Sequence, residues 1–152
     1  MKKITTYDVK LVKEECKLYD LETTQLKSSS IAGKIIQTVC DLNSATVEKF
    51  GIICVDAGMN IIGIHIVTVG GLTESLVDVR GIFQRALLNN AASIFIFHNH
   101  PGGSPSPSVQ DIEVTNKVQK AGKIMGVKLI DHIIVFDGGY YSFNEKGMMG
   151  AC

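Results

Sequence analysis

At 152 residues, the chain has room for one domain with its own core and not for two of ordinary size. A composition that is 45% hydrophobic and 20% charged excludes a disordered or fibrous protein. Fifteen basic residues against fifteen acidic leave no net field to hold a polyanion, so non-specific nucleic-acid binding is not favoured.

In chain order, residues 5–18 alternate apolar and charged positions and read as an edge strand or an extended arm. Residues 1–29 are therefore set apart from a domain expected over 30–147, with a frayed tail at 148–152. Ser28, Ser29 and Ser30 precede a helical stripe of Ile31, Ala32, Ile35, Val39 and Leu42, which predicts a helix over about 30–42. Residues 50–55 and 61–69 are two strands joined by a turn through Asp56–Asn60. Val79, Ile82, Phe83, Ala86 and Leu87 mark an amphipathic helix over 78–90, with Asp78 as its cap. Ser93–Phe97 is apolar on both faces, as in a central strand covered by helices on either side, and places His98 at its end.

All three prolines then fall in a stiff loop, at 101, 105 and 107. A helix follows over 109–124, with Val114, Val118, Ala121 and Met125 on its apolar stripe and Gly126 as its stop. Residues 127–136 are a strand, 137–139 a hairpin turn and 140–143 a return strand. Strands alternating with helices make an α/β or α+β sandwich. No apolar stretch approaches a membrane span and Met1-Lys2-Lys3 leads into no signal-peptide core, so the expected compartment is the cytoplasm, with no membrane partner. Cys16, Cys40, Cys54 and Cys152 form no C-x-x-C pair and are expected as reduced thiols, three of them buried.

The chemistry gathers after the central strand. His98 and His100, two residues apart in extended backbone, point to one side and can chelate. Asp111, in the first turn of the following helix, can reach them if the loop folds back. Two histidines, one carboxylate and an open position describe a catalytic zinc site, and zinc brings the pKa of a bound water to about 7. Ser108-Val109-Gln110-Asp111 taken alone is a helix capping box. An amidohydrolase barrel needs about 250 residues, a cupin would be nearly all strand, and a zinc deaminase needs a P-C-x-x-C that is absent here. A non-haem iron triad remains open on ligand count.

His98-Asn99-His100-Pro101, with Ser108 and Asp111 at their spacing, resembles the H-x-H-x7-S-x2-D part of the JAMM metalloprotease motif in its bacterial RadC form. Ser75-Leu76-Val77, Arg80, Asn90-Ala91-Ala92, Asp131-His132-Ile133-Ile134 and Tyr140-Tyr141-Ser142-Phe143 extend the likeness over about residues 30–147. The resemblance implies a JAB/MPN fold, a cytidine-deaminase-like sandwich with a mixed sheet, and Zn2+ held by His98, His100 and Asp111. It also implies a glutamate three residues before a glycine, which Glu48 and Gly51 supply, as general base. Ser108 would then stabilise the oxyanion.

The implied activity is cleavage of a peptide or isopeptide amide in a peptide or protein substrate of unknown identity. A DNA-repair factor acting on nucleic acid and a metal-stabilised scaffold without turnover are the rival readings, and a homodimer is left open. Full-length RadC proteins carry a helix-hairpin-helix-like region, where this chain has about 30 poorly patterned residues. Gly102 and Ser104 depart from the commoner HNHPSGDP wording, and Val79-Arg80-Gly81 stands where Pro-Arg-Glu is usual, with no ligand position lost. His65 is expected on a sheet surface or in the core, and His132, beside Asp131, in a structural hydrogen bond, with a place behind the metal ligands as the alternative. Asn99 is expected to turn the backbone or to bind substrate. Lys117, Lys120 and Lys123 are expected at the surface.

Overall fold

Ser28 opens the first helix, α1 (Ser29–Cys40), by accepting the amide N–H of Ile31 at 3.2 Å. This is the capping role that a serine run before an apolar stripe predicts. The computed structural model describes residues 1–70 and 77–150, so Ser75, Leu76 and Cys152 lie outside the described residues. α1 ends two residues earlier than expected, at Asp41 with φ 46°, and Leu42 is buried from a separate 3-10 turn, Leu42–Ser44.

The remaining elements are β1 (Lys49–Val55), β2 (Ile61–Val69), α2 (Val79–Leu88), β3 (Ser93–Asn99), α3 (Val109–Met125), β4 (Lys128–Phe136) and β5 (Gly139–Ser142). The β1–β2 turn closes on Asp56, whose Oδ1 accepts from the amides of Gly58 and Asn60, both at 2.9 Å. The five strands form a mixed sheet in the order β2-β1-β3-β4-β5. Only the β3–β4 pair is parallel. A parallel pair needs a crossover, and α3 supplies it.

Alternation along the strands sorts the core into two layers. Phe50, Ile52, Cys54, Ile94 and Ile96 pack with Ile82, Phe83 and Ala86 of α2 and Val118 of α3. Ile53, Val55, Phe95, Phe97, Ile133 and Val135 pack on the other face with Ala32, Ile35 and Ile36 of α1. The sandwich is thus α+β, consistent with a JAB/MPN fold. At Gly51, which pairs with Phe97 across the β1–β3 ladder, a Cβ would collide with the Phe97 ring and the His65 carbonyl.

Several details differ from the sequence expectations. The buried stripe of α3 is Asp111, Thr115, Val118 and Gly122, and Met125 is exposed. Leu87 of α2 is likewise exposed, and Asp78 stands at the N-cap position without a side-chain bond. Residues 1–20 form no strand and are exposed, which fits the arm and not the edge strand. Leu26 is buried in the core, its amide bonded to Met59 O at 2.9 Å. Where a frayed tail was expected, its described residues are docked: the Met148 amide donates to Phe143 O at 2.8 Å, and Met149 packs on the core.

Of the cysteines, Cys54 alone among those described is fully buried; Cys40 is half-buried and Cys16 exposed. Burial pushes the Cys54 thiol up to about 12. Among the described residues, no helix is long and apolar enough to cross a membrane.

Candidate metal centre

The parallel pair dictates where chemistry gathers. β3 delivers His98 at its carboxyl end, and α3 begins there after the proline loop, so the first turn of the helix faces the end of the strand. β3 runs two residues past its apolar segment, to Asn99, and carries His98 fully buried into the sheet. His100 follows at the rim. Glu48 immediately precedes β1, whose Phe50 pairs with His98 across the antiparallel ladder.

These elements converge. One ligand atom from each of Glu48, His98, His100 and Asp111 lies within 4.8 Å of the others. The Nε2 atoms of His98 and His100 are 2.9 Å apart. Asp111 Oδ1 is 3.2 Å from His98 Nε2, and Asp111 Oδ2 is 3.4 Å from His100 Nε2. Glu48 Oε1 stands further off, 3.9 Å from His98 Nε2.

Each first contact is braced. Asp111 sits in the capping box of α3: its Oδ2 accepts the Ser108 N–H at 2.7 Å, and Ser108 Oγ accepts the Asp111 N–H at 3.1 Å. The helix N-terminus also favours a carboxylate in its first turn. The Ser104 carbonyl, an acceptor only, lies 2.9 Å from His100 Nδ1, so that nitrogen carries a proton and Nε2 faces the centre. Ser108 itself is exposed at the head of the helix.

Asn99, the residue between the two histidines, clamps the backbone on either side of Glu48. Its Oδ1 accepts the Lys49 N–H at 2.7 Å, and its Nδ2 donates to Val47 O at 3.1 Å. It makes no turn, contrary to one expectation: Asn99 is the last residue of β3, and its amide reaches across to the neighbouring strand.

The charge balance of the centre points to a cation. Burial works against ionisation of Asp111, but the imidazoles of His100 and His98 and the Ser108 N–H outweigh it and hold the carboxyl well below its ordinary range. The hydrogen bond to Asp111 raises His100. Asp111 Oδ1 is buried and receives no hydrogen bond. A buried carboxylate oxygen without a donor, facing two imidazole nitrogens, is costly unless a positive charge joins them. Two nitrogens and a carboxylate oxygen are a donor set that suits zinc. The residues present therefore fit a divalent ion.

Two further residues stand behind this centre: His132, for which a structural hydrogen bond or a place behind the ligands was expected, and Thr115, which was not singled out. His132 of β4 lies with Nε2 2.8 Å from His98 Nδ1, and Thr115 of α3 lies with Oγ1 2.7 Å from His132 Nδ1. His132 is fully buried, which disfavours a charged ring and drives its pKa well down. By contrast, His65 stays on the half-buried face of β2 beside Asn89, away from the centre. Lys117, Lys120 and Lys123 are exposed, as expected.

Comparison with known proteins identifies relatives. A family model described as the RadC-like JAB domain matches residues 26–148. A UPF0758 protein of Thermotoga maritima is 44% identical over 100 residues, 66% of this chain and 45% of its own length. One from Methanosarcina barkeri is 41% identical over 102 residues, 67% of this chain and 44% of its own. One from Thermosynechococcus vestitus is 36% identical over 124 residues, 82% of this chain and 49% of its own. In each case the match spans just under half of the relative.

Proposed function

The chain belongs to the RadC-like JAB domain family, and on that basis we propose that it is a zinc-dependent hydrolase that cleaves an amide bond of peptide or isopeptide type. The observation that carries this reading is the convergence of Glu48, His98, His100 and Asp111, with a buried Asp111 oxygen left unbonded. The substrate is a peptide or protein, and the compartment is the cytoplasm.

His98, His100 and Asp111 would hold the ion. A divalent zinc there supplies Lewis acidity, polarising a carbonyl oxygen and acidifying water. Glu48 is suited to the proton work because it stands near the ligands without the closeness of Asp111, with its side chain 19% exposed toward incoming substrate. Its carboxylate takes a proton from the attacking water as the new C–O bond forms, and gives it to the amide nitrogen as the C–N bond breaks. The Ser108 hydroxyl accepts the Asp111 amide through its oxygen, which leaves its own O–H free to donate to the developing oxyanion.

The test is a screen of the zinc-loaded chain against peptide and isopeptide-linked substrates, with single-stranded, double-stranded and branched nucleic acids in parallel. The expected result is amide cleavage that Glu48→Gln lowers about 10²–10⁴-fold in kcat while zinc content stays unchanged. Cleavage of nucleic acid alone would contradict the reading. So would a Glu48→Gln protein as active as the wild type.

A further inference from the structure

We propose that Thr115 and His132 form a positioning relay that fixes His98 in its Nδ1–H tautomer and thereby turns the His98 Nε2 lone pair toward the metal centre. The inference rests on the metal-binding reading above but not on any hydrolytic activity.

The argument is a matter of counting protons along a buried chain of contacts. Thr115 Oγ1 lies 2.6 Å from the carbonyl oxygen of Asp111, one turn back in α3. A carbonyl has no proton to give, so the single hydroxyl proton of Thr115 is spent there. The contact from Thr115 Oγ1 to His132 Nδ1, at 2.7 Å, then requires the proton on the nitrogen. A neutral His132 with Nδ1–H has a bare Nε2, which must accept from His98 Nδ1 at 2.8 Å. His98 in turn carries its proton on Nδ1, and its bare Nε2 lies beside Asp111 Oδ1, His100 Nε2 and Glu48 Oε1, where a cation would join them.

Burial removes water as an alternative partner for these atoms. His98 and His132 are 0% exposed and Thr115 is 1% exposed, so solvent does not relieve a misplaced proton. Stacking holds the rings in plane with their bonds. His132 lies on Phe143 at 4.7 Å and 15°, and Phe50 lies parallel to His98 at 6.2 Å and 14°.

The backbone is adapted to the same end. The β3–β4 ladder pairs Ile94 with Leu129 but Phe95 with Asp131, a bulge that inserts Ile130. One inserted residue reverses the alternation of the strand. Leu129 packs with the α2–α3 layer, and without the bulge Asp131 would follow it to that face; with the bulge, His132 does. Bulges re-aim side chains next to sites, and this one delivers the relay histidine to the ligand.

Thr115→Val tests the relay with little change of shape. It removes the acceptor for the His132 Nδ1 proton, so His132 can shift its proton to Nε2 and force His98 to place its own on the metal side. In metal-free protein at mildly alkaline pH, ¹⁵N spectra of the imidazoles should show the wild-type His98 with Nδ1 protonated and Nε2 bare. Thr115→Ser should keep that pattern, and Thr115→Val should lose it. Zinc affinity, read by competition with a chromophoric chelator, should fall about 10–100-fold in Thr115→Val and His132→Ala and return to the wild-type value in Thr115→Ser.

A wild-type His98 protonated on Nε2, or a folded Thr115→Val protein that binds zinc as the wild type does, would overturn the proposal. A wild-type chain that takes up no zinc would remove the metal reading, and the metal-free nitrogen spectra would still decide the relay. Where His132→Ala fails to fold, the Val and Ser pair at 115 carries the test.

Discussion

Glu48 and Asn99 illustrate how single side chains divide the labour. Glu48 can work as a proton carrier only if its backbone is fixed, and Asn99 fixes it from both sides through Val47 and Lys49. Replacing Asn99 by Ala leaves the part-buried Lys49 N–H bond unmade and should cost about 0.5–1.5 kcal/mol of stability. If the reaction depends on Glu48, Asn99→Ala should also lower kcat while zinc content stays at the wild-type level. Parallel unfolding, metal and activity assays check both.

The three proposed ligands were legible in the sequence because their spacing is local: His98 and His100 share a strand end, and Asp111 follows within one loop and one helical turn. Thr115 was not, and His132 was legible as a hydrogen-bonded histidine without its partner. Thr115 lies one turn from Asp111, a spacing visible in the sequence, but a polar residue on a buried stripe gives no hydrophobic signal. The face of His132 was hidden by the bulge at Ile130, which cancels the two-residue alternation from which it would be read.

At the scale of elements, α3 shows why apolar periodicity placed the helix but misjudged its orientation. The face toward the sheet begins with Asp111 and Thr115, so the apolar positions that remain, Val114, Ala121 and Met125, lie to one side of the true centre line. The helix start was legible from its cap, and that cap yields a prediction that separates structure from chemistry. Ser108→Ala should cost about 1 kcal/mol of stability and Ser108→Gly only a few tenths, because glycine is tolerated at an N-cap. If the hydroxyl also serves the reaction, the two variants should lose kcat equally despite their different stabilities. Denaturation and kinetics on the same preparations decide it. On β1, Gly51→Ala should destabilise by about 1–3 kcal/mol through overpacking against Phe97 and His65.

For the whole molecule, folding, protonation and metal binding are linked through the same few groups. His100 has a raised pKa in the folded metal-free protein. Its contribution to stability is fully present below the ordinary histidine value of about 6.5 and is lost as pH rises through the higher folded value. Asp111 is depressed, so its contribution is present above the ordinary carboxylate value of about 3.9 and is lost as pH falls further toward its folded value. These two groups place the maximum of their joint contribution in mildly acidic solution for the metal-free protein.

Zinc should move that optimum upward, because the ion must displace the proton that His100 retains. Zinc affinity is accordingly expected to decline as pH falls through the raised His100 value. At free zinc a hundredfold above Kd, stability should gain about 2.7 kcal/mol. Thermal unfolding across pH, with and without zinc, checks the sign of each trend.

The fold as a whole was readable from alternating strands and helices, whereas the docking of the tail through Met148 and Met149 was not. Those contacts are long-range, and nothing in the local pattern announces them.

The most direct measurement is anomalous diffraction at the zinc edge from crystals of the zinc-loaded chain. One zinc is expected per chain, about 2.0–2.2 Å from His98 Nε2, His100 Nε2 and a carboxylate oxygen of Asp111, with Glu48 outside the coordination sphere. A zinc peak elsewhere, or none at that centre in protein supplied with excess zinc, would contradict the account.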